Sequence, residues 1–258
     1  AKALGGSVEA EAACLLSKAH EGVRARGTVH ALDLARLQEI PGLKLPDDLA
    51  GVANADFQAH VTRERFVANA AFDATELRAE KVAAATASGI VGIEGDGELR
   101  GLGRITAEDL RREDIALDRL EALVRFGGGR VELLSGYARS AEGLAWARGE
   151  LDLDARTLRL RVQGADLAAG ALAERAGIKD AAGRGYATGE VTGPFDRPVF
   201  TGRVMLFEPR LGKYTVAAAT AHARLEGDRL ALTHLMATRG AGVVSGDLTL
   251  DNLRGPRE

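Results

Sequence analysis

Aromatic residues are scarce, at 4% of 258 positions, with one Trp, three Tyr and seven Phe. That removes the usual means of filling a core, since each ring buries about 150–250 Å². It also speaks against a carbohydrate hydrolase, which needs carboxylates and aromatics clustered in one cleft. The single cysteine, Cys14, closes no internal disulfide, and a chain without disulfides fits cytosol and periplasm equally. No apolar run approaches the ~20 residues of a membrane-spanning helix, and no signal peptide is present. The net charge of −3 and pI near 6.0 come without a basic stripe and interleaved aromatics, which argues against a nucleic-acid partner.

Site chemistry is equally thin. No serine sits in a G-x-S-x-G elbow. The glycines of GDGELRGLG (95–103) lack the G-x-G-x-x-G spacing and strand–helix setting of a phosphate loop, so the stretch reads as a turn. Asp152 and Asp154 alternate with leucines and read as the solvated face of a strand. His222 and His234, with Glu226 near in sequence, lack the ligand spacing of a zinc site and read as ordinary strand positions. The expectation is a protein that is no enzyme and has no cofactor.

What the chain has in quantity is small apolar residues: 46% hydrophobic content, mostly Ala, Leu and Val, with 32 glycines. Average glycine usage is about 7%, and here the excess has no collagen period, so it reads as turns and tight bends. Period-2 alternation dominates. In GELDLDARTLRLRVQGADL, Leu151 and Leu153 share a face, and after a turn at Ala155-Arg156 so do Leu158, Leu160 and Val162. Similar runs offer Val23, Ala25, Val29 and Ala31; Phe66, Ala68, Ala70 and Phe72; Leu230 and Leu232; and Val244, Leu248 and Leu250. Turn signals at Gly95-Asp96-Gly97, Gly127-Gly128-Gly129 and Gly227-Asp228 separate many of them. Two stretches break the pattern: Asp33 to Ile40 and Asp166 to Ala176 carry leucine at helical spacing behind an Asp that predicts an N-cap.

An internal repeat follows. VHALDLA (29–35) matches VQGADLA (162–168), VAAATA occurs at 82–87 and 216–221, and IEGD (93–96) matches LEGD (225–228). The offsets are 133, 134 and 132 residues, so three anchors hold register through one long unit. Units run 28–157 and 158–252, with 1–27 as the tail of a preceding unit and 253–258 as a polar tail, all in one continuous solenoid-like domain. The opening AKALGGSVEA, without an initiator Met, reads as mid-strand in a fragment of a longer protein.

One stretch resembles a known family. GEVTGPFDRPVFTGRVML (189–206) places Val191 before Gly193-Pro194, then Pro198, Gly202 and Val204; with the VAAATA strand and the closing GVVSGDLTL, it is similar to TamB-like proteins of the AsmA-like superfamily. The resemblance covers most of 158–252 well and 28–157 more loosely; the first unit has HVTRERFVANAAF at the equivalent place, without the prolines. It implies a mainly β fold, an elongated β-sheet curled into a half-pipe (a β-taco) of long repeats, here with two short inserted α-helices. It also implies a periplasmic setting in a diderm bacterium, with the parent protein anchored in the inner membrane. Phospholipid acyl chains would travel along the concave apolar face between inner and outer membranes, supporting outer-membrane biogenesis with an Omp85-type barrel partner. The expected lipid-binding positions are Leu151, Leu153, Leu158, Leu160, Val162, Val204, Leu206, Leu230, Leu232, Leu248 and Leu250. Two other outcomes stay open at this point: a closed β-sandwich core, and a structural or chaperone-like module that adds a strand to a barrel partner.

Overall fold

The computed structural model describes residues 2–3, 5–17, 20–39, 46–112, 115–175 and 180–251. Ile40, Ala176 and the tail 253–258 lie outside the described residues. The chain is mainly β, and it divides into two units, Ala1–Ala138 and Arg139–Glu258.

Unit 1 contains β1 (Lys2–Ala3), β2 (Gly6–Ser17), β3 (His20–Asp33), a 3₁₀ helix (Leu34–Glu39), β4 (Ala50–Thr62), β5 (Phe66–Ala79), β6 (Val82–Gly95), β7 (Leu99–Arg112) and β8 (Ile115–Gly127). From β2 to β8 each strand pairs antiparallel with the next, as a meander. After β8, Gly128 and Gly129 both take positive φ (56° and 70°), the signature of a two-residue hairpin turn. The following strand, β9 (Arg130–Ser140), runs across the boundary between the units.

Unit 2 contains β10 (Gly143–Asp152), β11 (Thr157–Ala168), α1 (Ala169–Arg175), β12 (Ala181–Pro194), β13 (Val199–Leu211), β14 (Tyr214–Thr215), β15 (Ala218–Glu226), β16 (Arg229–Arg239) and β17 (Gly242–Leu250). Its ladder is again antiparallel throughout. A strand, a short helix and three further strands occur in the same order in both units, around the matching VAAATA and I/L-E-G-D stretches, with the two-residue β14 added before the last of them in unit 2.

The two inserted helices start differently. Asp33 behaves as its position predicts: its Oδ1 accepts the Ala35 N–H at 3.1 Å and caps the 3₁₀ turn. Asp166 does not cap. It stays within β11 at φ 54°, Leu167 and Ala168 still pair with Gly185 and Arg184, and the helix begins only at Ala169. Its carboxylate instead meets Arg184 Nη1 at 3.0 Å.

Long strands bend where their pairing slips. Register shifts fall at Val29/Leu32 and Ala50/Val52 in unit 1, and at Gly164/Leu167, Ala182/Arg184, Thr220/His222 and Leu232/Leu235 in unit 2. These shifts place five non-glycine residues in the left-handed region: Ala31, Glu76, Asp166, Glu208 and His234, at φ 51°, 53°, 54°, 47° and 53°. A bulge bends its strand and tightens the local twist, which is how each sheet curls. Its unpaired N–H needs a partner. Ala31 N–H donates to Asn54 Oδ1 at 2.9 Å, and His234 N–H to Asp247 Oδ1 at 2.8 Å, the same solution in each unit.

The prolines of 189–206 sit where no ladder bond is lost. Pro194 is the last residue of β12 and Pro198 lies in the connection, closed by Arg197 N–H donating to the Pro194 carbonyl at 3.1 Å. The first unit makes the equivalent hairpin without them. There Thr62 Oγ1 accepts the Arg65 N–H at 2.9 Å and donates to the Arg65 carbonyl at 3.0 Å.

Candidate functional site: an uncovered apolar face

In an antiparallel ladder, residues directly opposite each other point to the same side of the sheet. Following partners from strand to strand therefore traces rows across each face. In unit 1 one row runs Val8–Val29–Ala55–Phe72–Gly89–Ile105–Ala122, and the next Ala10–Gly27–Phe57–Ala70–Val91–Gly103–Val124. A third runs Ala12–Ala25–Ala59–Ala68–Ile93–Gly101–Phe126. None contains a polar side chain. The intervening rows point the other way and are mostly polar, for example Glu11–Arg26–Gln58–Asn69–Gly92–Leu102–Arg125.

Unit 2 repeats the arrangement within its own sheet. One row reads Gly149–Leu160–Val191–Phe200–Leu225–Leu230–Leu250, another Ala147–Val162–Gly189–Gly202–Ala223–Leu232–Leu248. Leu151 pairs with Leu158 on this face, Val204 with Ala187 and Ala221, and Leu206 with Gly185 and Ala219. Ten of the eleven expected positions thus share one face of one sheet. Leu153 is the exception: expected on this face, it lies instead in the β10–β11 turn, 51% exposed. Asp152 Oδ1 accepts the Ala155 N–H at 2.8 Å, which folds the chain over before Leu153 can continue the alternation.

The decisive property of this face is what does not cover it. The buried apolar residues among those described are all alanines: Ala74, Ala84, Ala87 and Ala107 in unit 1, and Ala219, Ala221 and Ala223 in unit 2. No described side chain is fully buried, and the leucines, valines and phenylalanines of the rows stay partly open. In a β-sandwich the inward residues of one sheet interdigitate with those of another and lose nearly all their exposure. A closed sandwich core is therefore excluded for the described residues.

Phenylalanines and glycines missing from the expected set complete the floor. Phe57 stands opposite Gly27, Phe72 opposite Gly89, and Phe126 opposite Gly101. A Cβ on Gly27 would come within 2.9 Å of the Phe57 ring, and one on Gly89 within 2.9 Å of Phe72. The rings lie over the glycines, so the floor stays shallow although it carries aromatics. Spacing along one strand does not reveal these pairs, because they depend on register between strands.

The concavity expected of the apolar face is not where unit 1 has its hollow, which opens on the other side. The polar face of unit 1 is concave across β2 to β8, around a volume of about 1360 Å³. Its charges largely answer one another: Arg26 Nη2 meets Glu11 at 2.6 Å, Thr28 donates to Asp56 at 2.8 Å, and Arg104 reaches Glu121 at 3.5 Å. Ile90, Leu102 and Leu123 stand among these charges, so the wall of the hollow is mixed, with no row as uniformly apolar as those of the other face. No group of three or more His, Cys, Asp or Glu converges as a metal site among the described residues. No helix is long and apolar enough to cross a membrane.

The architecture is that of curled antiparallel sheets, each with one polar face and one uncovered apolar face. Comparison with protein-family models, with curated proteins and with solved structures gives no match.

Proposed function

We propose that this chain carries lipid acyl chains along its apolar face, as part of a TamB-like periplasmic protein that moves phospholipid between inner and outer membranes. The observation that supports it is the uninterrupted apolar row pattern without a covering layer. An acyl chain gains about 0.8 kcal/mol per CH₂ buried, so such a face needs no polar ligand group to bind lipid. The order of elements around the Gly-Pro hairpin, on which the family resemblance rests, supports the outer-membrane role.

The chain's one tryptophan allows a direct test. Trp146 stands opposite Gln163, on the polar side of unit 2. With phosphatidylcholine carrying brominated acyl chains, the fluorescence of Trp146 is expected to stay bright. A tryptophan placed at Leu160 in a Trp146→Phe background is expected to be quenched. Equal quenching of the two would overturn the assignment of the face.

A second reading has its own support. From Gly242 to Thr249 every residue of β17 is exposed, with Val243 at 60% and Val244 at 72%. Such a strand suits pairing with an outer-membrane barrel by strand addition. If that were the whole function, brominated lipid would leave both tryptophans bright.

A further inference from the structure

We propose that the polar face of unit 2 holds a binding site for copper(I), formed by Met205, Met236, His222 and His234. The chain has two methionines and five histidines, and both methionines and two histidines line a single hollow of about 440 Å³. The register brings them there. Met205 on β13 stands opposite Thr220 on β15, and Thr220 opposite Met236 on β16, so the two thioethers flank one threonine from both neighbouring strands. His222 follows Thr220 two residues along β15.

His234 arrives by a different route. It is the left-handed residue of the β16 bulge, and such a residue leaves the strict alternation of its strand, which re-aims its side chain. Its ring packs edge-on against His222, with centroids 5.6 Å apart and planes at 65°. Asp247 holds the His234 backbone N–H, so the bulge does not depend on the ring. Among the described residues neither imidazole has a hydrogen-bond partner, which leaves their nitrogens available as ligands.

The donor set selects the ion. Thioether sulfur is soft and neutral, and imidazole is neutral in its binding form; that combination suits copper(I) and offers hard ions such as magnesium or calcium nothing. Zinc prefers thiolate, imidazole and carboxylate, and no cluster of those is present among the described residues. Charge bears on valence alone, since a cationic side chain in the wall opposes every metal ion. Arg203 lies directly opposite His222, and its fixed positive charge opposes a divalent ion twice as strongly as a monovalent one. The site faces away from the apolar rows, so it is independent of acyl-chain binding.

Silver(I), a redox-inert probe for copper(I), tests this in a Cys14→Ser background, because the exposed Cys14 thiol is a competing soft ligand. With methionine ε-methyl groups labelled with carbon-13, both resonances are expected to shift together and saturate at one equivalent. His222→Phe with His234→Phe is expected to weaken the binding at least about tenfold. Methyl resonances that stay in place, that titrate separately, or that titrate unchanged in the histidine double variant would each overturn the proposal. The titration of the unaltered ligand set stands whether or not the variants fold.

Discussion

Leu160→Asp is expected to weaken binding of a long-chain acyl probe about a hundredfold. Leu160 lies mid-row on the apolar face, between Gly149 on one strand and Val191 on the next. An acyl chain crossing it loses burial of about three to four methylenes at ~0.8 kcal/mol each, close to 3 kcal/mol. The carboxylate adds a desolvation cost wherever the chain still covers it. Arg159, its neighbour in β11, points to the other side, where it pairs with Glu150 and Thr192. Arg159→Gln is therefore expected to bind the probe within about twofold of the parent. Titration with a fluorescent fatty acid, alongside thermal melting of each variant, separates lost binding from lost folding.

The second large effect concerns the floor itself. Gly202 faces Gly189 on β12 and Ala223 on β15, and the Phe200 ring covers the glycine pair. A Cβ at 202 would press on the Thr188 carbonyl oxygen and lie 2.7 Å from Phe200 Cζ and 2.8 Å from Gly189 Cα. Two of those neighbours are backbone and do not yield cheaply. Overpacking of this kind costs about 1–3 kcal/mol, and Gly202→Val is expected at the upper end. At roughly 2–4 °C per kcal/mol, the thermal midpoint falls by roughly 6–12 °C. Gly246→Ala on β17, where a Cβ meets no atom within 4 Å, is expected to change stability by less than about 0.5 kcal/mol. Equal losses at the two positions would show that the Phe–Gly pairs do not hold the floor.

Much of this fold is written along the chain in terms a single strand can carry. Alternation at Leu158, Leu160 and Val162 marks one face because the side-chain period of a strand is two. The glycine and Gly-Pro signals mark connections, and the 33-to-35 cap marks the first helix. What depends on the partner strand is not written there. The Asx-type turn at Asp152 ends the alternation before Leu153. The bulge at Asp166 keeps β11 going where leucine spacing suggests a helix. Neither Phe200 on the floor nor Met205 and Met236 around Thr220 could be placed without register. Register is set by pairing and turn lengths together, and a row across strands has no contiguous sequence to show it.

The central claim is that the apolar rows, and not the concave polar side, touch lipid. Photo-crosslinking decides it most directly, with a photoreactive residue at Leu160, at Leu232 or at Arg159 and membranes carrying radiolabelled phospholipid. Leu160 and Leu232 lie on the apolar rows of unit 2, and Arg159 is exposed on the opposite face. The account predicts lipid adducts at 160 and 232 and background labelling at 159. Adducts at 159 with none at 160 or 232 would contradict it.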